Sequence, residues 1–596
     1  MTALEGLDRV ETADVLVIGG GVGGLAAAAA AKEMNPDADV LVVEKASTGW
    51  AGQANKGAGI WWYLAPEDDV DRFVRFHCDH IGHYIEDQDL LADFGRESLA
   101  TLERMDGWTG KLQRRDGEII HKRFKPFLPW SLTGMDLDFM RPLKRAARKL
   151  GVRFIDKTLL TDLLTDGGRV AGAVGFSLLD GSPIVVKAPT AIIATGGQSY
   201  RIMGMWSCQR GDGLGMAWRA GAQMRNAEWG PFAQLAGKRG KEPLIGSEDA
   251  LYNAWHEKLS PTFRGEYEAD VCGMTSAVWY QQMKAGNGPL VTFHPENWML
   301  ANTTEDVEGG TVWDRPAAVK FWTTLISRVR AADAPGAFLE VFPAVLGELS
   351  PVRVDHHMAT TVPGLYACGN ACYNGSGLPG AVPASPGRMR GAGLYGATWM
   401  GIRAGEAAAS AAPAAAEVDA GQTEALVREA LAPLGRNGVP AMELVRGIQD
   451  AVNPVGYSIY KSEERMSEAL GMVLDVKERL PQVAAKDPHY LVAAHDARNM
   501  ALSAELFYRT ALTRKESRGW FIREDYPERD DADWLKWVCA EPDGDGMRIW
   551  TEDVPVADYP FQPTGERSTT RVVASDSPRP CSERRAIERQ TGKQAP

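Results

Sequence analysis

An α/β fold organised around a parallel sheet with a nucleotide-binding turn is what this 596-residue sequence predicts. Three observations predict it. Residues 13–18, ADVLVI, are a short apolar run of the kind buried on both faces of a parallel sheet. Gly19-Gly-Gly-Val-Gly-Gly24 follows directly and opens an alanine-rich helix that runs to about Met34. Asn35-Pro36-Asp37 then turns the chain into a second apolar run, Asp39–Glu44, which closes a βαβ unit of about thirty residues.

The remaining elements follow in order. Residues 67–105 have the charged, periodic pattern of helices, and strands alternating with turns are expected at 152–156 and 168–177. Ala188–Thr195, APTAIIAT, is a further buried strand that ends in Gly196-Gly197. Residues 231–345 lose the strand regularity and hold several aromatics, as an inserted domain would. Glycine-rich sequence resumes at 362–405, and Ala404–Ala416 reads as a helix end plus a linker. Residues 422 to about 515 are helical in pattern, and the last thirty or so have too little apolar content to order themselves.

Composition narrows the function. A chain of this length exceeds one ordinary core, so two or three domains are expected. A net charge of −13 argues against nucleic acid, which demands a basic face, and suits a cytoplasmic enzyme. The longest apolar run, around Val15–Ala31, is broken by glycines and reads as strand plus helix instead of a membrane span. The polar, acidic start MTALEGLDRVETAD is unlike a secretory signal. The seven cysteines, at 78, 208, 272, 368, 372, 539 and 581, form no C-x-x-C pair, so reduced thiols are expected and no iron–sulfur centre of the chain's own.

Gly19-x-Gly21-x-x-Gly24 lies between strand and helix, and Glu44 lies twenty residues beyond Gly24. Glycines there let the backbone approach a pyrophosphate at the positive helix N-terminus. Glu44 is placed to accept from a ribose hydroxyl and to disfavour a 2′-phosphate. Three features point to FAD over NAD. Glu44-Lys45 runs into a Gly/Ala stretch at 49–60 long enough to follow a flavin, Ala194-Thr-Gly-Gly197 ends a late strand, and Val362-Pro-Gly-Leu-Tyr-Ala-Cys-Gly369 is another strand with a glycine turn.

With GGGVGGL, EK…GAGI, IIATGG, RGDGLGMAWRAGA at 210–222, VPGLYACG and ESRGWFIREDYPERDDADWLK at 516–536, residues 12–540 resemble the flavoproteins of the fumarate reductase/succinate dehydrogenase superfamily, which includes L-aspartate oxidase. The stretches from Gly273 to Pro289 and from Met358 to Leu365, and DDVDRFVRFHCDHIGHYIEDQDLLADFG, look closest to the α subunit of adenylylsulfate reductase. The resemblance implies a Rossmann-type FAD-binding domain in two parts (1–230 and 346–412), an inserted α+β capping domain (231–345), a C-terminal helical domain (413–560) and a disordered tail (561–596). It implies an electron-carrying partner, usually a small ferredoxin-like iron–sulfur protein, and is compatible with an oligomer. Gly19, Gly21, Gly24, Glu44 and Lys45 would bind the adenosine half and pyrophosphate. Gly59, Thr195, Gly196, Asp212, Gly369 and Asn370 would hold the rest of FAD. Most members carry an acid where this chain has Asn370, which keeps hydrogen bonding without the charge. Succinate dehydrogenases carry a flavin-linked histidine at a position that falls at about Gly52 here, so the FAD is expected to be noncovalent.

In the dicarboxylate members arginines and histidines grip the substrate, and an arginine passes a proton. Guanidinium suits a carboxylate or sulfate because its fork makes two parallel charge-assisted bonds. The resemblance carries that role to Arg388, with Arg390 as neighbour, and places the capping-domain arginine at Arg264. The two family histidines are missing, because the matching segments read Gly230-Pro-Phe-Ala-Gln234 and Leu346-Gly-Glu-Leu-Ser-Pro351. That weakens succinate or fumarate as substrate. Residues 374–385 also lack the histidine that adenylylsulfate reductases place near the flavin. His356 and His357 read as a solvated pair, and His77, His80 and His83 share a helix face without an evident fourth metal ligand, so no metal is expected. Trp61, Trp62, Trp206, Trp218 and Trp229 fall in segments expected near the flavin, where aromatic walls favour a bulky apolar or aromatic substrate. The expected protein is a catalytic flavoprotein subunit of a reductase complex. Its alternatives are a free-standing enzyme like fumarate reductase, L-aspartate oxidase or a ketosteroid dehydrogenase, acting on a C=C or C–C bond, and a non-catalytic electron-transfer flavoprotein.

Overall fold

The computed structural model describes residues 9–56, 59–122, 129–202, 208–230, 232–237, 251–257, 260–261, 272–292, 316–317, 320, 339–347, 349–372, 392–411, 417–519, 521–564 and 574–575. Its centre is a five-stranded sheet of β1 (Val15–Ile18), β2 (Val40–Val43), β3 (Arg153–Ile155), β4 (Thr190–Ile193) and β5 (Leu365–Ala367), in the order β5-β4-β1-β2-β3 with every pairing parallel. β1 and β2 are apolar at every residue and β4 at all but Thr190, and all three are buried throughout, as strands sandwiched between helices must be. The helices that matter for the site are α1 (Val22–Met34), α2 (Gln88–Arg96), α3 (Met140–Lys149), α4 (Asp212–Arg219), α5 (Ala392–Ser410) and α6 (Pro488–Thr513).

Small residues set how closely α1 and α5 cross. Ala26–Ala31 are wholly buried. A Cβ on Gly401 would collide with the Gly23 carbonyl, and one on Gly405 with the Ala27 carbonyl. The glycines of α5 thus let the two backbones touch, and α5 covers the nucleotide helix over several turns. The expected strands at 152–156 and 168–177 are present as β3 and Arg169–Ser177. Arg169–Ser177 pairs with an unforeseen strand, Thr158–Asp166, in a second, four-stranded sheet with Pro183–Lys187 and Val10–Thr12.

In the insertion, Phe232–Gly237 runs antiparallel to Leu339–Gly347, so the two ends of the inserted segment lie side by side. The domain expected to be helical, 413–560, also contains strands. After α6 it forms a hairpin, Lys536–Asp543 with Gly546–Asp553, whose first strand pairs with Met224–Arg225. The apolar run WVCA in KWVCAEPD is a buried-strand pattern, and that stretch pairs with the first part of the nucleotide domain. The tail is also not structureless at its start, because Gln88 exchanges two hydrogen bonds with the Phe561 backbone at 2.7 and 3.1 Å. Ala574–Ser575 pairs with Ser260–Pro261, and the rest of 561–596 beyond Thr564 lies outside the described residues. Within Ala404–Ala416, read as a helix end plus a linker, α5 continues to Ser410, and residues 412–416 lie outside the described residues. Among the described residues no helix is long and apolar enough to cross a membrane.

Candidate cofactor site

The C-terminal ends of β1, β4 and β5 meet where the strand order reverses, which is where open α/β sheets bind ligands. β1 turns at Gly19, whose φ of +111° and whose packing against the Ala194 carbonyl, 2.5 Å from where a Cβ would stand, exclude a side chain. A Cβ on Gly24 would strike the Gly19 carbonyl, so the first turn of α1 can close on the strand end only with glycine there. Gly21, the N-cap of α1, faces open space with nothing within 4 Å of its absent side chain. The helix N-terminus is therefore accessible at a bare backbone, the feature a pyrophosphate requires.

Glu44 is buried, and its carboxylate accepts from the Gly20 and Ala46 N–H groups, each at 2.6 Å. It therefore pins the glycine turn as well as standing where a ribose hydroxyl would come. Gly52 has φ +78°, and its missing Cβ would lie 3.4 Å from the Gly21 Cα, so the small-residue bed lies directly against the glycine turn. Asn370 donates from its amide to Gln53 at 3.3 Å, tying the turn after β5 to the same bed. Gly369, with φ +61°, makes that turn possible. Gly59, with φ +66°, packs against the Met135 carbonyl. Thr195 accepts from the Gly213 N–H at 3.0 Å, and Gly196, with φ +77°, lies against Gln209. Lys45 does not extend free toward a phosphate. It forms an ion pair with Asp212, the first residue of α4, because burial leaves the ammonium no other compensating charge as near. Burial works to lower the Lys45 pKa, but Asp212 and Asp496 outweigh it and hold it above the ordinary lysine value. Apart from Gly59, these contacts bring the predicted residues together, and the bare α1 N-terminus, the buried acid and the small-residue bed fit an FAD.

The residues assigned to the substrate do not share this description. Arg264, Arg388 and Arg390 lie outside the described residues, as does Trp206. Trp61 and Trp62 are fully buried on Ile60–Tyr63. Trp62 packs among Phe73, Phe94 and Tyr395 with ring centroids at 4.9, 5.3 and 5.4 Å, so it is part of an aromatic core. Trp229 is also buried, against Phe521 and the Arg514 guanidinium. Trp218, on α4, is buried as well. The described members of the set therefore serve packing. Of the pair expected to be solvated, His357 is exposed, and His356 is half-exposed but also bonds Asp87 at 2.8 Å. His77 is buried against Glu86 at 2.6 Å, and among the described residues no group of three or more acids, cysteines and histidines could hold a metal ion.

The motifs did not flag Gln53, Asp156, Gln209, Asp496 or Asn499. Asp156 holds the bed loop through the Thr48 N–H and hydroxyl at 2.8 and 2.6 Å. The available signal was polarity out of place, because Asp496 and Asn499 sit at i, i+3 in an otherwise alanine-rich helix and point inward.

Residues 14–248 match the FAD binding domain family, and residues 451–568 match the fumarate reductase flavoprotein C-terminal domain. The fumarate reductase flavoprotein subunit of Haemophilus influenzae is 24% identical over 88% of this chain and 91% of its own length. The L-aspartate oxidase of Streptomyces coelicolor is 28% identical over 94% and 96%. Among solved structures, a quinol fumarate reductase of E. coli superposes with a TM-score of 0.76 at 21% identity, over 93% of this chain and 98% of its own. Adenylylsulfate reductase of Archaeoglobus fulgidus does so with a TM-score of 0.71 at 22% identity, over 93% and 97%. At such identities what the structures share is the fold.

Proposed function

Because the chain belongs to the fumarate reductase/succinate dehydrogenase flavoprotein superfamily and is an FAD-dependent oxidoreductase, we propose that it is the catalytic flavoprotein subunit of a reductase complex, similar to the adenylylsulfate reductase α subunit, with noncovalent FAD and a ferredoxin-like iron–sulfur partner. Gly52 carries this reading. Its left-handed φ of +78° disfavours any side chain there, the histidine that succinate dehydrogenases link to the flavin included. A flavin without that link has a lower potential, which suits reduction of a substrate over oxidation of succinate. When bound, FAD supplies a two-electron carrier that exchanges hydride at N5.

The protein's own contribution is positioning and charge. Gly19, Gly21 and Gly24 admit the dinucleotide backbone, Glu44 selects its ribose, and the 44–64 bed covers it from water. Arg388, Arg390 and Arg264 are our assignments for holding an anionic substrate group and passing it a proton. A partner of opposite charge is supported by α3, whose Arg141, Arg145, Arg148 and Lys149 are all exposed on a protein of net charge −13. Arg141 also stacks on the exposed Trp50 of the bed at 4.1 Å, which puts this basic face next to the cofactor cradle.

Two measurements test the reading. Acid precipitation should release all flavin into the supernatant, and colour retained in the pellet overturns noncovalent binding. Anaerobic mixing of the reduced protein with adenylylsulfate, sulfite, fumarate or an enoate, followed by flavin absorbance, selects the substrate class, and reoxidation by none of them removes the reductase assignment. A free-standing oxidase is the second reading, favoured by the 28% identity to L-aspartate oxidase over nearly the whole chain. Fast reoxidation by oxygen during turnover of an amino acid, with no iron–sulfur protein copurifying, would select it.

A further inference from the structure

Helix α6 reaches the nucleotide unit from more than four hundred residues away in sequence. It meets α4 so closely that a Cβ on Gly215 would collide with Asn499 Oδ1, and one on Gly211 would stand 3.3 Å from Ser503 Oγ. Asn499 donates to Asp212 Oδ1 at 3.4 Å and accepts from Arg219 at 3.4 Å, so it clamps the acid that pairs with Lys45 from behind. One turn earlier Asp496, 1% exposed, accepts from Arg201 at 2.6 Å and faces Arg210 Nε at 3.3 Å through the same oxygen. Asp496 Oδ1 and Arg210 Nη1 are buried without a hydrogen-bond partner among the described residues. Three cations, Lys45, Arg201 and Arg210, thus surround two carboxylates, Asp212 and Asp496, and Lys45 is the residue after Glu44.

We propose that Asp496 and Asn499 are positioning residues for FAD. They hold the Lys45–Asp212 pair, and with it the loop that begins at Glu44, so that the C-terminal helices complete the cofactor cradle. Neither residue needs to touch the cofactor. The reasoning is electrostatic: without the Asp496 charge, three partly buried cations would share one buried carboxylate, and Lys45 or Asp212 would have to move to compensate. Burial raises the Asp496 pKa while Lys45, Arg210 and Arg201 oppose that rise, so its charge and theirs depend on one another. The inference rests on FAD as cofactor and adds the part of the chain that fixes its site.

The test is FAD titration of the full-length apoprotein by flavin fluorescence quenching, with the apoprotein's thermal midpoint measured alongside. Asp496→Asn and Asn499→Ala should each weaken FAD binding about tenfold, the scale of one charge-assisted hydrogen bond. Lys45→Met combined with Asp496→Asn should be no worse than the poorer single variant, because both act through one pair. Arg498→Gln is the control. It cuts ion pairs from the same helix to Asp162 at 3.7 Å and Glu429 at 2.6 Å, but makes no contact with the Lys45–Asp212 pair. Unchanged FAD affinity in the folded Asn499 and Asp496 variants overturns the proposal. So does an Arg498→Gln loss of the same size, which would reduce the effect to helix docking. A wild-type apoprotein that takes up no FAD would instead refute the cofactor assignment.

Discussion

At the residue scale the site depends on atoms that are absent. Gly24 has helical geometry and any residue could adopt its backbone angles, yet a single methyl group there would meet the Gly19 carbonyl. Relief would require moving either the strand end or the helix start, and both border the pyrophosphate position. Gly24→Ala should therefore cost about 1–3 kcal/mol of stability, the usual range for overpacking. It should also yield protein with little bound flavin, read from the ratio of flavin to protein absorbance. The GxGxxG spacing made this position legible from sequence, because the demand for a bare backbone is local. Lys45 was legible only as a residue at the site. That its partner is Asp212 follows from bringing two segments 167 positions apart together, which no local pattern encodes.

At the element scale, polar side chains tie helices to the return strand and to one another. Asp87 caps α2 by accepting from the Leu90 N–H at 3.0 Å and also holds His356. The Asp87 hydrogen bond raises the His356 pKa, while at Asp87 burial is outweighed by the His356 and Leu90 bonds, so its own pKa falls. A raised histidine stabilises fully below its unfolded value near 6.5 and loses that contribution as pH rises through its folded value. A lowered aspartate stabilises above about 3.8 and loses it on acidification through its folded value. The pair therefore contributes most between roughly pH 4 and 6.5. The thermal-midpoint gap between wild type and His356→Gln should shrink steadily from pH 6 to pH 9, and by a modest amount because His356 is half-exposed. Glu516 is a stronger case. It accepts from Arg514 at 2.7 Å and from Arg518 at 2.8 and 2.9 Å with all three side chains fully buried. Glu516→Ala should destabilise by about 3–5 kcal/mol in urea unfolding, because it strands buried guanidinium charge. The ESRGWFIRED segment was visible as a motif, but not that its Arg518 joins this internal network while Arg523 pairs with Asp525 at 2.7 Å.

For the whole molecule, charge is the property that a partner would sense. The basic face of α3 stands out on an acidic protein, so an acidic electron donor should approach it faster at low salt. Arg145→Glu with Arg148→Glu should slow reduction by an acidic ferredoxin several-fold at low ionic strength, converge with wild type at high salt, and leave flavin content unchanged, as stopped-flow reduction would show. The overall architecture was readable from sequence where periodicity is strong, in the central strands and the helices of 422–515. It was not readable where short segments pair across the chain, as Met224–Arg225 does with the hairpin strand Lys536–Asp543. That pairing and the seating of α6 against α4 have a consequence for biosynthesis. At about 5–20 residues per second, α6 leaves the ribosome roughly 20–90 s after Lys45. A nascent chain would by then have exposed its glycine turn without the helix that steadies it. On the role proposed for Asp496 and Asn499, cofactor loading is a late event in the life of the polypeptide, and a chain stalled before Asp496 would have a complete fingerprint and an unfinished cradle.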